Sequence, residues 1–146
     1  MTEQFDKHRW HDNAIHGFRI VEGEHGCGEL DLDIDFINEW LPSRDVEHGF
    51  LFGVSPSNPV FHEVSDLVIS IDYAACSAAL QPMAILEIHR KEHVYPNGYQ
   101  SFAWKIEMAW PANSFLSFCS PGFTQTPRAE PVYSPDQSLA PSQRSG

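Results

Sequence analysis

Two short stretches carry the side chains most able to do chemistry. Trp10-His11-Asp12-Asn13-Ala14-Ile15-His16-Gly17 and Phe61-His62-Glu63-Val64-Ser65-Asp66-Leu67 share an order: an aromatic residue, a histidine, an acid, and an aliphatic residue a few positions on. An imidazole held by a carboxylate can serve as a general base or a metal ligand near neutral pH. His11, Asp12, His16, His62 and Glu63 are therefore the candidate catalytic or ligating residues. Their spacing limits what they do alone. His11 and His16 are five apart, which on a strand sends them to opposite faces. Chelation would need His62 or His89 to arrive from elsewhere in the chain. The structural alternative gives Trp10 and Phe61 to the core and uses Asp12 and Asp66 to accept backbone amides at strand starts.

Other chemistries are missing their parts. Asp31-x-Asp33-x-Asp35 resembles the opening of a calcium loop, but Phe36 stands where such a loop needs glycine, and Leu32 and Ile34 are apolar. Cys27, Cys76 and Cys119 are odd in number and form no Cys-x-x-Cys pair, so no zinc knuckle or redox motif is indicated. Cys119 lies in an apolar run and reads as a small packed hydrophobe. There is no nucleophile elbow, phosphate-cradling glycine loop or metalloprotease helix. No cofactor is implied.

The elements that must position these residues are strands. Glu29-Leu30-Asp31-Leu32-Asp33-Ile34-Asp35-Phe36 alternates strictly, predicting a strand with one oily face and one wet acidic face. Ile15 to Val21 is a second strand, joined to it through a turn supplied by Gly26 and Gly28. Phe36 to Leu41 either finishes the alternating strand or makes a helical turn stopped by Pro42. Phe50 to Val54, Val60 to Val64 and Leu67 to Tyr73 read as separate strands, the first two divided by Pro56 and Pro59, because proline cannot donate to a ladder. Ala74 to Leu80 has a helix-favouring composition, but is short.

The strongest local signal is Tyr95-Pro96-Asn97-Gly98-Tyr99. Proline and asparagine fit the corners of a type I turn and glycine fits the left-handed position that follows. That turn makes Tyr95 and Tyr99 partners and fixes a register: Ile88 opposite Ile106, Leu86 opposite Met108, Arg90 beside Trp104, His89 opposite Lys105 and Glu87 opposite Glu107. The row Phe102, Trp104, Ile106, Met108, Trp110 alternates and belongs to the core. Phe115 to Phe118 reads as the last core strand. About eight strands and little helix predict an all-β, mainly antiparallel domain, either a β-sandwich or an open barrel. A single β-rich domain is expected over residues 1–124. A Pro/Ser-rich extended tail over 125–146 follows, draped on the domain or disordered.

Composition bounds the partners. With 42% hydrophobic residues, 10 Phe and 4 Trp among 146, the chain can bury a core without disulfides or metal. Nine Lys and Arg against 20 Asp and Glu give a net charge of −11. That repels phosphate backbones and anionic lipid, excluding direct nucleic-acid binding and favouring a basic protein partner. The polar N-terminus has no signal-peptide core and no stretch reaches membrane-spanning length, so a cytoplasmic location is expected.

The Trp10–Gly17 segment, followed by a strand, a turn and an alternating strand, resembles the opening of small bacterial β-rich proteins, some of them immunity proteins of polymorphic toxin systems. The Phe61–Leu67 stretch is similar to a second element of such chains. The resemblance covers the first half to three-quarters of the domain and brings no catalytic residues with it. It implies a non-enzymatic protein that binds a toxin domain, with the acidic surface matching a basic nuclease. Two other functions are compatible with the residues: a metal- or acid–base-dependent enzyme built on the His/Asp/Glu candidates, and a small-ligand β-barrel lined by the Phe102–Trp110 row.

Overall fold

The computed structural model describes residues 10–23, 28–42, 50–74, 79–134 and 136–144. Among the described residues eight strands carry the fold: β1 Ala14–Glu22, β2 Gly28–Pro42, β3 Phe50–Ser70, β4 Met83–Val94, β5 Gln100–Trp110, β6 Phe115–Ser120, β7 Phe123–Pro127 and β8 Val132–Ser134. All pairings are antiparallel. Pairing runs β2–β1–β4–β5–β6–β3 and returns from β3 to β2, a ring of hydrogen bonds; β7 and β8 attach to β3. The fold is all-β, as the alternation requires. The residues read as a turn at 24–27 and most of the helix-favouring run, 75–78, lie outside the described residues, as do Cys27 and Cys76.

The alternating strand behaves as its pattern dictates on the apolar side. Leu30, Leu32 and Ile34 are buried with Ile15, Phe61, Trp104, Ile106 and Phe123 in one core, where Trp10 also packs. Phe61 meets Trp104, Phe118 and Phe123 with ring centroids 5.1, 4.7 and 5.5 Å apart. A smaller cluster of Ile37, Phe52, Val54 and Leu139 lies apart from it. Phe36 to Leu41 continues β2 rather than turning helical. Cys119 is buried and free.

The β4–β5 hairpin follows the turn. Gly98 N donates to Tyr95 O at 2.8 Å, Tyr95 N donates to Tyr99 O at 2.9 Å, and Gly98 has φ +86°. Ile88 faces Ile106, His89 faces Lys105, Arg90 faces Trp104 and Glu87 faces Glu107. The Arg90 guanidinium lies 4.5 Å from the Phe102 ring centre and 5.8 Å from that of Trp104. Further from the turn the register slips. Met108 faces Ile85, not Leu86, because the pairing shifts between Ile85 and Glu87. A bulge of this kind changes which side chain points inward, and Ile85 is fully buried while Leu86 is 42% exposed.

Three expectations fail in β3 and beyond. Pro56 and Pro59 do not divide it: Phe50–Ser70 is one strand of 21 residues. Pro56 pairs with Asp35, and where Pro59 has no N–H to offer, Asn58 Nδ2 donates to the Leu32 carbonyl at 3.0 Å. A side-chain amide thus supplies a donor that the ladder lacks. Leu67 to Tyr73 is likewise no separate strand, since β3 runs on through a register shift between Ser65 and Val68. Phe115–Ser120 is followed by two more strands, so the boundary expected at residue 124 falls inside β7. The Pro/Ser-rich stretch contributes β7 and β8, and buries Leu139.

Candidate functional site

The five sequence candidates take separate places. His11 sits in the turn before β1, exposed, its Nδ1 2.7 Å from the Leu86 carbonyl and its Nε2 3.5 Å from Asp12. His16 lies on β1 with Nε2 2.6 Å from Asp35 Oδ2 on β2. His62 lies on β3, Nδ1 2.5 Å from Glu29 Oε2 and Nε2 2.8 Å from Thr124 Oγ1. Glu63 accepts from the Tyr99 hydroxyl at 3.0 Å. Each of these three histidines has its own carboxylate: that of His11 is its neighbour Asp12, while the His16–Asp35 and His62–Glu29 pairs are long-range and carry no signal in the sequence. Among the described residues no three His, Cys, Asp or Glu side chains gather where they could hold a metal ion.

Glu63 lines a groove. The groove, of 660 Å³, opens between the bend of β3 and the tip of the β4–β5 hairpin, lined by Glu63, Ser65, Asp66, Tyr95, Pro96 and Tyr99 among others. Glu63 and Asp66 bend the strand with φ of 48° and 54°, a left-handed conformation that is costly for a glutamate and often kept where a surface has work to do. Ser65 and Tyr95 share a hydroxyl hydrogen bond of 2.7 Å, and the Tyr95 and Tyr99 rings lie 5.9 Å apart. Neither Glu63 nor Asp66 is paired with a cation among the described residues. The arrangement brings two tyrosine rings and two carboxylates together, which suits a cationic side chain.

The second feature is the acidic face of β2, and it is not the wet face expected. Asp31 pairs with Arg19 at 3.0 Å and accepts from Asn58 at 2.8 Å. Asp33 receives Arg128 at 3.0 Å and Arg144. Asp35 is fully buried, paired with Arg144 and accepting the Leu139 amide at 2.9 Å. The two arginines of the C-terminal stretch fold back onto the strand, because a row of carboxylates cannot be buried without counter-ions.

The electrostatics follow. Burial lowers the pKa of His16, with Arg144 adding to the effect and Asp33 opposing it. For Asp33 burial pulls upward, but the hydrogen bonds from Arg128 and Arg144 outweigh it and hold the carboxyl below its ordinary range. Both shifts leave the unfolded chain binding more protons than the folded one, His16 below its usual 6.5 and Asp33 below 3.8. Stability should therefore decline on acidification in two steps, the first as pH falls from 6.5 through the folded pKa of His16 and the second as it falls below 3.8. Urea unfolding across this range checks it, and His16→Gln should remove the first step alone. A flat profile between pH 7 and 5 in the parent chain would contradict the assignment.

Comparison with protein-family models, with curated proteins and with solved structures finds no match to this chain. No helix among the described residues is long and apolar enough to cross a membrane.

Proposed function

We propose that this chain is a cytoplasmic, non-enzymatic β-domain that binds a basic protein partner, with an immunity-like role against a basic toxin domain as the most concrete form. The observation that carries the reading is the groove holding Glu63, Asp66, Tyr95 and Tyr99. Tyrosine rings beside carboxylates that no cation among the described residues pairs select a lysine or arginine side chain, since the ring quadrupole and the negative charges act in the same sense. The net charge of −11 adds long-range attraction for the same class of partner. The resemblance of Trp10–Gly17 and Phe61–Leu67 to immunity proteins points the same way. The histidine pairs favour an enzyme less, because each is tied to a different carboxylate and no common reaction centre gathers them.

The test is retention of a basic protein from the native host on the immobilised chain, compared with the Glu63→Gln/Asp66→Asn double variant. Those changes remove charge and keep shape, and asparagine tolerates the left-handed backbone at Asp66. The parent should hold the partner with an affinity that falls steeply with salt, and the double variant should hold it at least about tenfold more weakly. A partner that proves toxic when expressed alone and harmless with this chain would support the immunity role. Failure to retain any basic protein, or equal retention by the double variant, would overturn the reading.

A further inference from the structure

The face of β2 that carries Asp33 and Asp35 goes beyond the groove reading and does not depend on it. Residues two apart on a strand project from one face, so these carboxylates stand side by side. One guanidinium spans them: Arg144 Nη2 meets Asp33 Oδ1 while Nη1 meets Asp35 Oδ1. The rest of the carboxylate of Asp35 is also committed, since its Oδ2 receives His16 Nε2 at 2.6 Å and the Leu139 amide at 2.9 Å. Asp35 is 0% and the Arg144 side chain 10% exposed. Two terminal nitrogens of one planar group, each against a different carboxylate, are what the point charge of a lysine ammonium does not reproduce.

The occupant arrives on a short 3₁₀ turn at the end of the described chain. Gln143 N donates to Ala140 O at 2.9 Å and Gln143 Oε1 accepts from Ala140 N at 2.8 Å, which sets Arg144 at the exit of a 3₁₀ turn. Leu139 beside it plugs the small cluster of Ile37, Phe52 and Val54. The carboxylates, by contrast, come from the middle of the hydrogen-bonded ring and are fixed by it. The site belongs to the framework and the guanidinium to a chain end.

We infer that Asp33 and Asp35, the latter held in place by His16, form an arginine-binding site filled in cis by Arg144, and that an arginine side chain of a protein partner takes the same place when the C-terminal knuckle lifts. The chain end then acts as an internal competitor: its high local concentration holds the site against weak or sparse ligands.

Full-length Arg144→Ala tests this with methylguanidinium as the probe. The variant should melt below the parent, and methylguanidinium should restore the melting temperature saturably, with half-effect on the order of millimolar as expected for a few charge-assisted hydrogen bonds. If the variant is unfolded, refolding on addition of the probe is the same readout. The parent should show no saturable rise over that range. Methylammonium, which has the charge without the fork, should need at least about tenfold more, as should methylguanidinium on Arg144→Ala/Asp33→Asn. Nα-acetylarginine amide should act as methylguanidinium does. Equal responses of parent and variant, equal responses to the two cations, or indifference to Asp33→Asn would each overturn the site. Because none of these changes touches Glu63 or Asp66, failure here is separable from failure of the partner-binding groove.

Discussion

Asp35→Ala is expected to lower unfolding stability by about 3–5 kcal/mol, the range for removing one partner of a buried ion pair. The carboxylate is wholly buried and serves His16, Arg144 and the Leu139 amide together. Its loss strands a guanidinium, an imidazole and a backbone N–H in a place that water reaches poorly. Against a total stability of about 5–15 kcal/mol for a domain of this size, that is a large share. Asp35→Asn should cost less than Asp35→Ala but still destabilise, because it keeps one acceptor oxygen while losing the charge and turning an amide NH2 toward groups that themselves donate. Asp33→Ala should cost about 1 kcal/mol, since that carboxylate is 38% exposed and water replaces part of what is lost. Urea melts measure all three, urea being preferable to guanidinium salts, whose cation resembles the missing partner. A cost for Asp35→Ala below about 1 kcal/mol would show that the chain end does not depend on this carboxylate.

Phe61→Ala should cost about 3–5 kcal/mol, the range for deleting a large aromatic from a packed interior. Its ring is 1% exposed and touches three other aromatic rings held by β5, β6 and β7. Collapse around the vacancy would have to move strands that are tied to one another by the hydrogen-bonded ring. Ile85→Ala should cost about 2–5 kcal/mol and Leu86→Ala within about 0.5 kcal/mol, although both are aliphatic and adjacent. The bulge between Ile85 and Glu87 decides that difference. Equal losses at the two positions in thermal or urea melts would show that the strand runs without it.

How much of this was legible in the sequence varies with distance along the chain. The Pro96-Asn97-Gly98 turn fixes the first ten or so residues of its hairpin, because a turn of known geometry propagates its register outward. It loses authority at Ile85, where a bulge inserts a residue that no composition signals. Alternation identified the buried face of β2 but misjudged the other. What converts Asp33 and Asp35 from solvated acids into a guanidinium site is Arg144, 111 and 109 residues away, in a stretch whose prolines and serines read as an extended tail. The prolines of β3 misled for a related reason. Pro59 does lack a donor, yet Asn58 supplies one through its side chain, a local remedy visible once the strand is in place. Of the candidate residues, His16 stands out by type, while its partner Asp35 reads as one of a solvated row, and Asp66, Tyr95 and Tyr99 read as structural.

The order in which the chain is made gives the proline-bearing strand another role. Phe50–Ser70 leaves the ribosome at least 45 residues before its neighbour Phe115–Ser120, and further ahead of Phe123–Pro127 and Val132–Ser134. At about 5–20 residues per second, one long edge waits several seconds for the strands that will cover it. A bare edge of that length invites pairing with other nascent chains, and prolines are among the devices that blunt such edges. Pro56 stands in the stretch that the last two strands eventually flank, and its carbonyl on that side receives the Arg128 amide. A residue that looks like an interruption in the finished sheet is thereby expected to blunt the edge of the half-made one.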